Sequence, residues 1–150
     1  MAMDATVRTV VTFKSLAFNV SEHKEYFINP GCFGDDLAKW LGERLRSNGH
    51  QAANEPGQED FGWYLIFKVD NISHCFVVVY RPDDGVWICW LERNRGPLGS
   101  LFGFRRMHIQ PAAVVAIHEI LSVSPQISDV RWFFSRDFDQ GREDLAKAEP

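Results

Sequence analysis

The chain has 150 residues, 45% of them hydrophobic and 24% charged, with a formal net charge of −4. That length fits one domain with a core large enough to stand without staples. The acidic balance excludes a general nucleic-acid-coating role. No apolar run approaches the roughly 20 residues that span a bilayer, so no membrane association is expected. The start, M-A-M-D-A-T-V-R, lacks the apolar core of a secretory signal. The three cysteines, Cys32, Cys75 and Cys89, form no framework. Together these features predict reduced thiols and a cytoplasmic location.

In chain order, Thr6 to Phe13 is β-branched and apolar and predicts a strand. Leu16 to Val20 is irregular or a continuation of that strand. Glu25 to Ile28 is short enough to be a small strand before Asn29-Pro30-Gly31 breaks the chain. Residues 33–47 carry Phe33, Leu37, Trp40, Leu41 and Leu45 at helical spacing. Asp35 and Asp36 open that helix and Arg44 and Arg46 close it, each suiting the helix dipole. Asn48-Gly49 then supplies a stop. His50 to Phe61 reads as an acidic loop.

Residues 63–92 form the organising stretch. Trp63–Val69, His74–Tyr80 and Val86–Glu92 are aromatic and β-branched runs separated by short turns, which makes them an antiparallel meander. Pairing Tyr80 with Val86 sets Val78 against Ile88, Phe76 against Trp90 and His74 against Glu92. With Asn71-Ile72 at the first tip, Trp63, Leu65, Phe67 and Val69 join that face. The second face then carries Tyr64, Ile66, Lys68, Cys75, Val77, Val79, Trp87, Cys89 and Leu91. In this register Cys75 and Cys89 are diagonal neighbours, a poor arrangement for a disulfide. Both faces are largely apolar, so both need cover.

Beyond the meander, residues 93–110 are irregular and rich in glycine and arginine. Pro111 starts a second helix over 111–122, with Val114, Ile117, Ile120 and Leu121 as its stripe. Asp129 to Phe134 is a last strand. Residues 135–150 are charged and are expected as a frayed tail or a short, loosely attached helix outside a domain over 1–134. The fold class expected is α+β: a two-layer sandwich whose two main helices cover one face of an antiparallel sheet.

Little of this chain carries specific chemistry. Arg93, Arg95, Arg105 and Arg106 among the glycines could bind phosphate or carboxylate. No phosphate-cradling motif is present, and a solvated surface loop explains the same residues. His74 opposite Glu92 is a candidate acid–base pair or a sheet-end ion pair. Cysteine and histidine spacings fit no metal site, and no cofactor is expected. Trp87 on the second face is either core or a partner anchor. E-D-F-G-W-Y-L over 59–65 puts Glu59 and Asp60 beside Tyr64, an acidic rim at an aromatic strand or simply a turn.

F-G-D-D-L-A-K-W-L-G-E-R-L at 33–45, E-D-F-G-W-Y-L at 59–65 and S-P-Q-I-S-D-V-R-W at 124–132 resemble a group of small uncharacterised bacterial proteins. The helix-then-Trp-strand ending is also loosely similar to immunity proteins of bacterial toxin systems. That likeness implies a small acidic α+β protein that blocks a partner, and it assigns no residue a role. The leading expectation is a non-enzymatic binding module for a protein partner or a second copy of itself, working through Trp87, Tyr64, Glu59 and Asp60. The alternative is a small ligand-binding domain or enzyme for a phosphorylated or carboxylated molecule, using the arginines of 93–106.

Overall fold

The computed structural model describes residues 7–93 and 109–150. The described strands are β1 (Val10–Lys14), β2 (Gln51–Ala52), β3 (Gly57–Glu59), β4 (Gly62–Val69), β5 (Ile72–Arg81), β6 (Val86–Arg93) and β7 (Ser128–Phe133). The described helices are α1 (Asp35–Ser47), α2 (Pro111–Val123) and the short α3 (Ser135–Asp139). Together the described strands make one seven-stranded antiparallel sheet in the order β2-β4-β5-β6-β1-β7, with β3 also paired to β4. This is the α+β sandwich expected. The acidic loop of 50–61 differs from expectation, because it supplies the edge strands β2 and β3. Glu25 to Ile28 forms no strand.

The two turns of the meander set the faces. Asp70 and Asn71 both adopt positive φ, which makes a tight two-residue turn with Val69 opposite Ile72. The tip therefore lies one residue earlier than expected, and the pairing of β4 with β5 moves by two. Side chains alternate with period two, so their faces are unchanged. At the second turn Arg81 belongs to the strand and pairs with Val86. Gly85, at φ 69, donates its N–H to the Arg81 carbonyl at 3.0 Å and closes the loop. Asp84 grips the Arg81 guanidinium through two hydrogen bonds, at 2.9 and 2.7 Å.

That one-residue difference turns β6 over. Tyr80 faces Trp87, Val78 faces Cys89, and Phe76 faces Leu91. Trp87, Cys89 and Leu91 thus join the first face, while Ile88, Trp90 and Glu92 move to the second. Cys75 and Cys89 lie on opposite faces, and all three cysteines are free thiols.

Both long helices pack on the first face. Leu37, Ala38, Leu41 and Leu45 of α1 and Val114, Ile117, Ile120 and Leu121 of α2 close on Val11, Phe13, Leu65, Phe67, Phe76, Val78, Trp87 and Trp132. Leu37, Leu41, Leu45 and the α2 stripe are the positions the helical spacing predicts. Gly34 explains how closely α1 approaches. A Cβ there would stand 2.9 Å from a Val78 methyl, and its φ of 135 favours glycine. The segment 15–34 wraps from β1 to α1 and is tied to the β3–β4 turn. Gln58 accepts from the Ile28 N–H and donates to the Tyr26 carbonyl, and the Trp63 indole donates to the Cys32 carbonyl.

Candidate functional site: the open half of the second sheet face

The second face is built in rows across the strands. Its central row runs Tyr64, Val77, Trp90, Val10 and Phe133, each paired directly with the next. On one side lies the row Val79, Ile88, Thr12 and Arg131. On the other, Ile66 pairs with Cys75 and Cys75 with Glu92.

The C-terminal segment closes one half of this face. Phe133 is fully buried and meets the Phe138 ring of α3 edge-on at 5.1 Å. The Arg8 guanidinium lies over the Phe134 ring at 4.4 Å. Glu143 reaches Arg81 at 3.4 Å, adding to the grip of Asp84 and holding the guanidinium firmly charged. Lys147 exchanges two backbone hydrogen bonds with Trp132, so the tail docks back on the edge strand. Val10 and Thr12 are buried at this end. The expectation was a frayed tail or a short, loosely attached helix; a short helix, α3, does form there, and the phenylalanines hold it on the sheet.

The other half, over β4, β5 and β6, has no described helix above it. Tyr64, Ile66, Val79, Ile88 and Trp90 are each partly exposed. Phe61, in the turn leading into β4, is 48% exposed although it is a large apolar ring. It stacks on Trp90 at 6.2 Å with an interplanar angle of 12°. The two rings belong to elements on either side of β5, so their contact spans that strand. The Trp90 indole N–H donates to Glu92 at 2.7 Å, a charge-assisted bond that fixes the ring.

Carboxylates border this patch. Glu59 and Asp60 are exposed beside Phe61, and Glu92 lies beyond Trp90. No ion pair among the described residues neutralises these three. Their field is felt beneath. Burial pushes the Cys75 thiol up to about 12, and the charges of Glu92 and then Glu59 push the same way. Burial, followed by Glu59 and Cys75, also raises the Tyr64 hydroxyl. A thiol so placed stays protonated at neutral pH and is a poor nucleophile.

Several predicted site residues stand elsewhere. Trp87 is fully buried on the helix-covered face, because Arg81 is a strand residue and β6 is turned over. His74 and Glu92 occupy opposite faces and form no pair. His74 instead lies opposite Arg93 and is fully buried. Its Nδ1 is 3.1 Å from the Ile72 carbonyl, its Nε2 accepts the Gln110 N–H at 3.3 Å, and its ring stacks on Phe67. Those partners suit the tautomer protonated at Nδ1, and they tie β5 to the start of α2. His118 is similarly engaged, accepting the Trp132 indole N–H at 3.0 Å. Arg93 ends β6, whereas Arg95, Arg105 and Arg106 lie outside the described residues. Tyr64, Glu59 and Asp60 do share the open half. Trp90, Phe61 and Ile88 were missed as surface residues. The corrected register of β6 is what brings Trp90 and Ile88 out.

Among the described residues, no group of three His, Cys, Asp or Glu side chains is placed to hold a metal ion. No described helix is long and apolar enough to cross a membrane. The chain matches no protein-family model, no curated protein and no solved structure.

Proposed function

We propose that this protein is a binding module that engages another protein through the open half of its second sheet face. One observation carries the reading: Trp90, a large aromatic fixed by Glu92 and Phe61, stands partly exposed among the partly exposed side chains of Tyr64, Ile66, Val79 and Ile88. Pre-ordered aromatics flanked by apolar neighbours are the residues that dominate binding energy at protein interfaces. Such a module works by occupying its partner, as an immunity-like inhibitor does.

The test compares the parent chain with Ile88→Glu and Trp90→Ser in affinity capture, after urea titration has shown the three to be folded. Partner loss in both variants is the expected result. Equal capture by all three overturns the reading.

A further inference from the structure

The open half also specifies what kind of protein surface fits it. A second copy of this chain fits poorly. Face-to-face pairing about a two-fold axis would bring Glu59, Asp60 and Glu92 of one copy against the same acidic set of the other. Like charges facing across an interface are strongly unfavourable. Arg81 and Lys68, among the described residues, do not offset this. Arg81 is committed to Asp84 and Glu143, and Lys68 stands exposed further along β4 from Tyr64 and Ile66.

Building on the proposed binding face, we propose that the open half docks a basic polypeptide segment, with an Arg or Lys of the partner held between the Trp90–Phe61 rings and the Glu92 carboxylate. A cation over the face of an indole ring is attracted by the ring's quadrupole. Glu92 uses one carboxylate oxygen on the Trp90 indole, and a carboxylate has further lone pairs for a guanidinium. The carboxylate thus does two things: it orients the ring, and it supplies the charge. Glu59 and Asp60 extend the negative edge on the far side of Phe61, so a second basic residue of the same segment meets them. Ile66, Val79 and Ile88 receive the apolar residues in between. The geometry puts the two carboxylates on one patch: Glu92 pairs with Cys75 beside Trp90, and Phe61, next to Glu59 and Asp60, stacks on that same Trp90.

The probe is a short amphipathic peptide with Arg and Leu on one face, read by calorimetry against the full chain. The same peptide with Glu in place of Arg is the control. Expected are binding of the Arg peptide, none of the Glu peptide, and weakening by added salt. Glu92→Gln combined with Glu59→Gln should weaken binding by roughly tenfold, with urea midpoints near the parent's. Trp90→Ala should weaken it further. If Trp90→Ala abolishes binding but the charge variants leave it unchanged, the face binds protein and the basic-partner proposal fails. If neither variant matters, the peptide binds elsewhere and both proposals fail. Concentration-dependent sedimentation abolished by Trp90→Ala would identify a second copy as the occupant and overturn the basic partner. Absence of any binding by the Arg peptide overturns this inference while leaving the capture test of the face to stand alone.

Discussion

Two tryptophans three residues apart on one strand show how differently the two sheet faces are built. Trp87 is fully buried, ringed by Phe18 and Tyr80 and roofed by α1. Trp90 lies on the opposite face, partly exposed, with a ring on one side and a carboxylate at its edge. The difference extends to hydrogen bonding. The Trp87 indole N–H is buried and meets no partner among the described residues, whereas that of Trp90 is satisfied. An orphaned N–H is tolerated where packing dominates. A satisfied, oriented one belongs to a ring held in place at a surface.

The largest expected effect tests this contrast directly. Trp87→Ala should destabilise by about 3–5 kcal/mol, the range for emptying a large core site. Trp90→Ala should cost less, about 2 kcal/mol, in keeping with partial burial and the loss of one ring contact. Urea unfolding of the pair measures both, and equal costs would erase the distinction between the faces.

The next effect addresses the contrast within the second face. Ending the chain at Phe134 removes the Phe138 ring from Phe133 and Glu143 from Arg81. Uncovering an aromatic core residue should cost about 2–3 kcal/mol, and the truncated chain should bind a hydrophobic dye at the newly opened half. An unchanged urea midpoint would mean that the tail contributes nothing to the sheet.

A smaller effect appears at alkaline pH. Burial raises the Cys75 thiol from 9.0 to about 12 and places Cys89 well above its ordinary value. Above pH 9 the unfolded chain loses these protons while the folded chain keeps them. Stability should therefore be complete below about pH 9 and fall as pH rises towards 12, by at most about 1.4 kcal/mol per pH unit for each thiol. Cys75→Ser should flatten the slope measured between pH 9 and 10.5, whatever its effect at neutrality. An identical slope would show Cys75 to be better solvated than its place beneath the open patch implies.

What the sequence disclosed follows from which signals are periodic. The helices were legible because Leu37, Leu41 and Leu45, and Val114, Ile117 and Leu121, repeat at helical spacing and bury as that spacing requires. The faces of β4 and β5 were legible despite a wrong tip, since moving a pairing by two keeps every side chain on its side. The face of β6 was not, because Arg81 resembles a loop residue beside Pro82 while in fact extending the strand. One residue of difference moved Trp87 into the core and Trp90 to the surface, and with them the anchor of the candidate site. The acidic patch was half legible: Glu59, Asp60 and Tyr64 are adjacent in the chain, whereas Phe61 meeting Trp90 is a contact across β5 that no local pattern encodes. The docked tail was hidden by its charge, for Phe138 is a single aromatic among acids. The expectation for the arginine-rich loop rests mainly on residues outside the described ones.

The smallest effect separates shape from stability at the patch. The Tyr64 ring lies so close over Gly57 that a Cβ at Gly57 would stand 2.2 Å from it. The obstacle is the far end of a side chain, so Gly57→Ala should displace the ring at a cost of no more than about 1 kcal/mol. The ring leads the central row of the open half, so its movement alters the surface a partner meets while Trp90, Glu92 and the core stay in place. Weaker binding of the Arg peptide by Gly57→Ala, with a near-parent urea midpoint, would show that the patch recognises its partner through a fixed arrangement of rings. Unchanged binding would confine recognition to the Trp90–Glu92 end of the row.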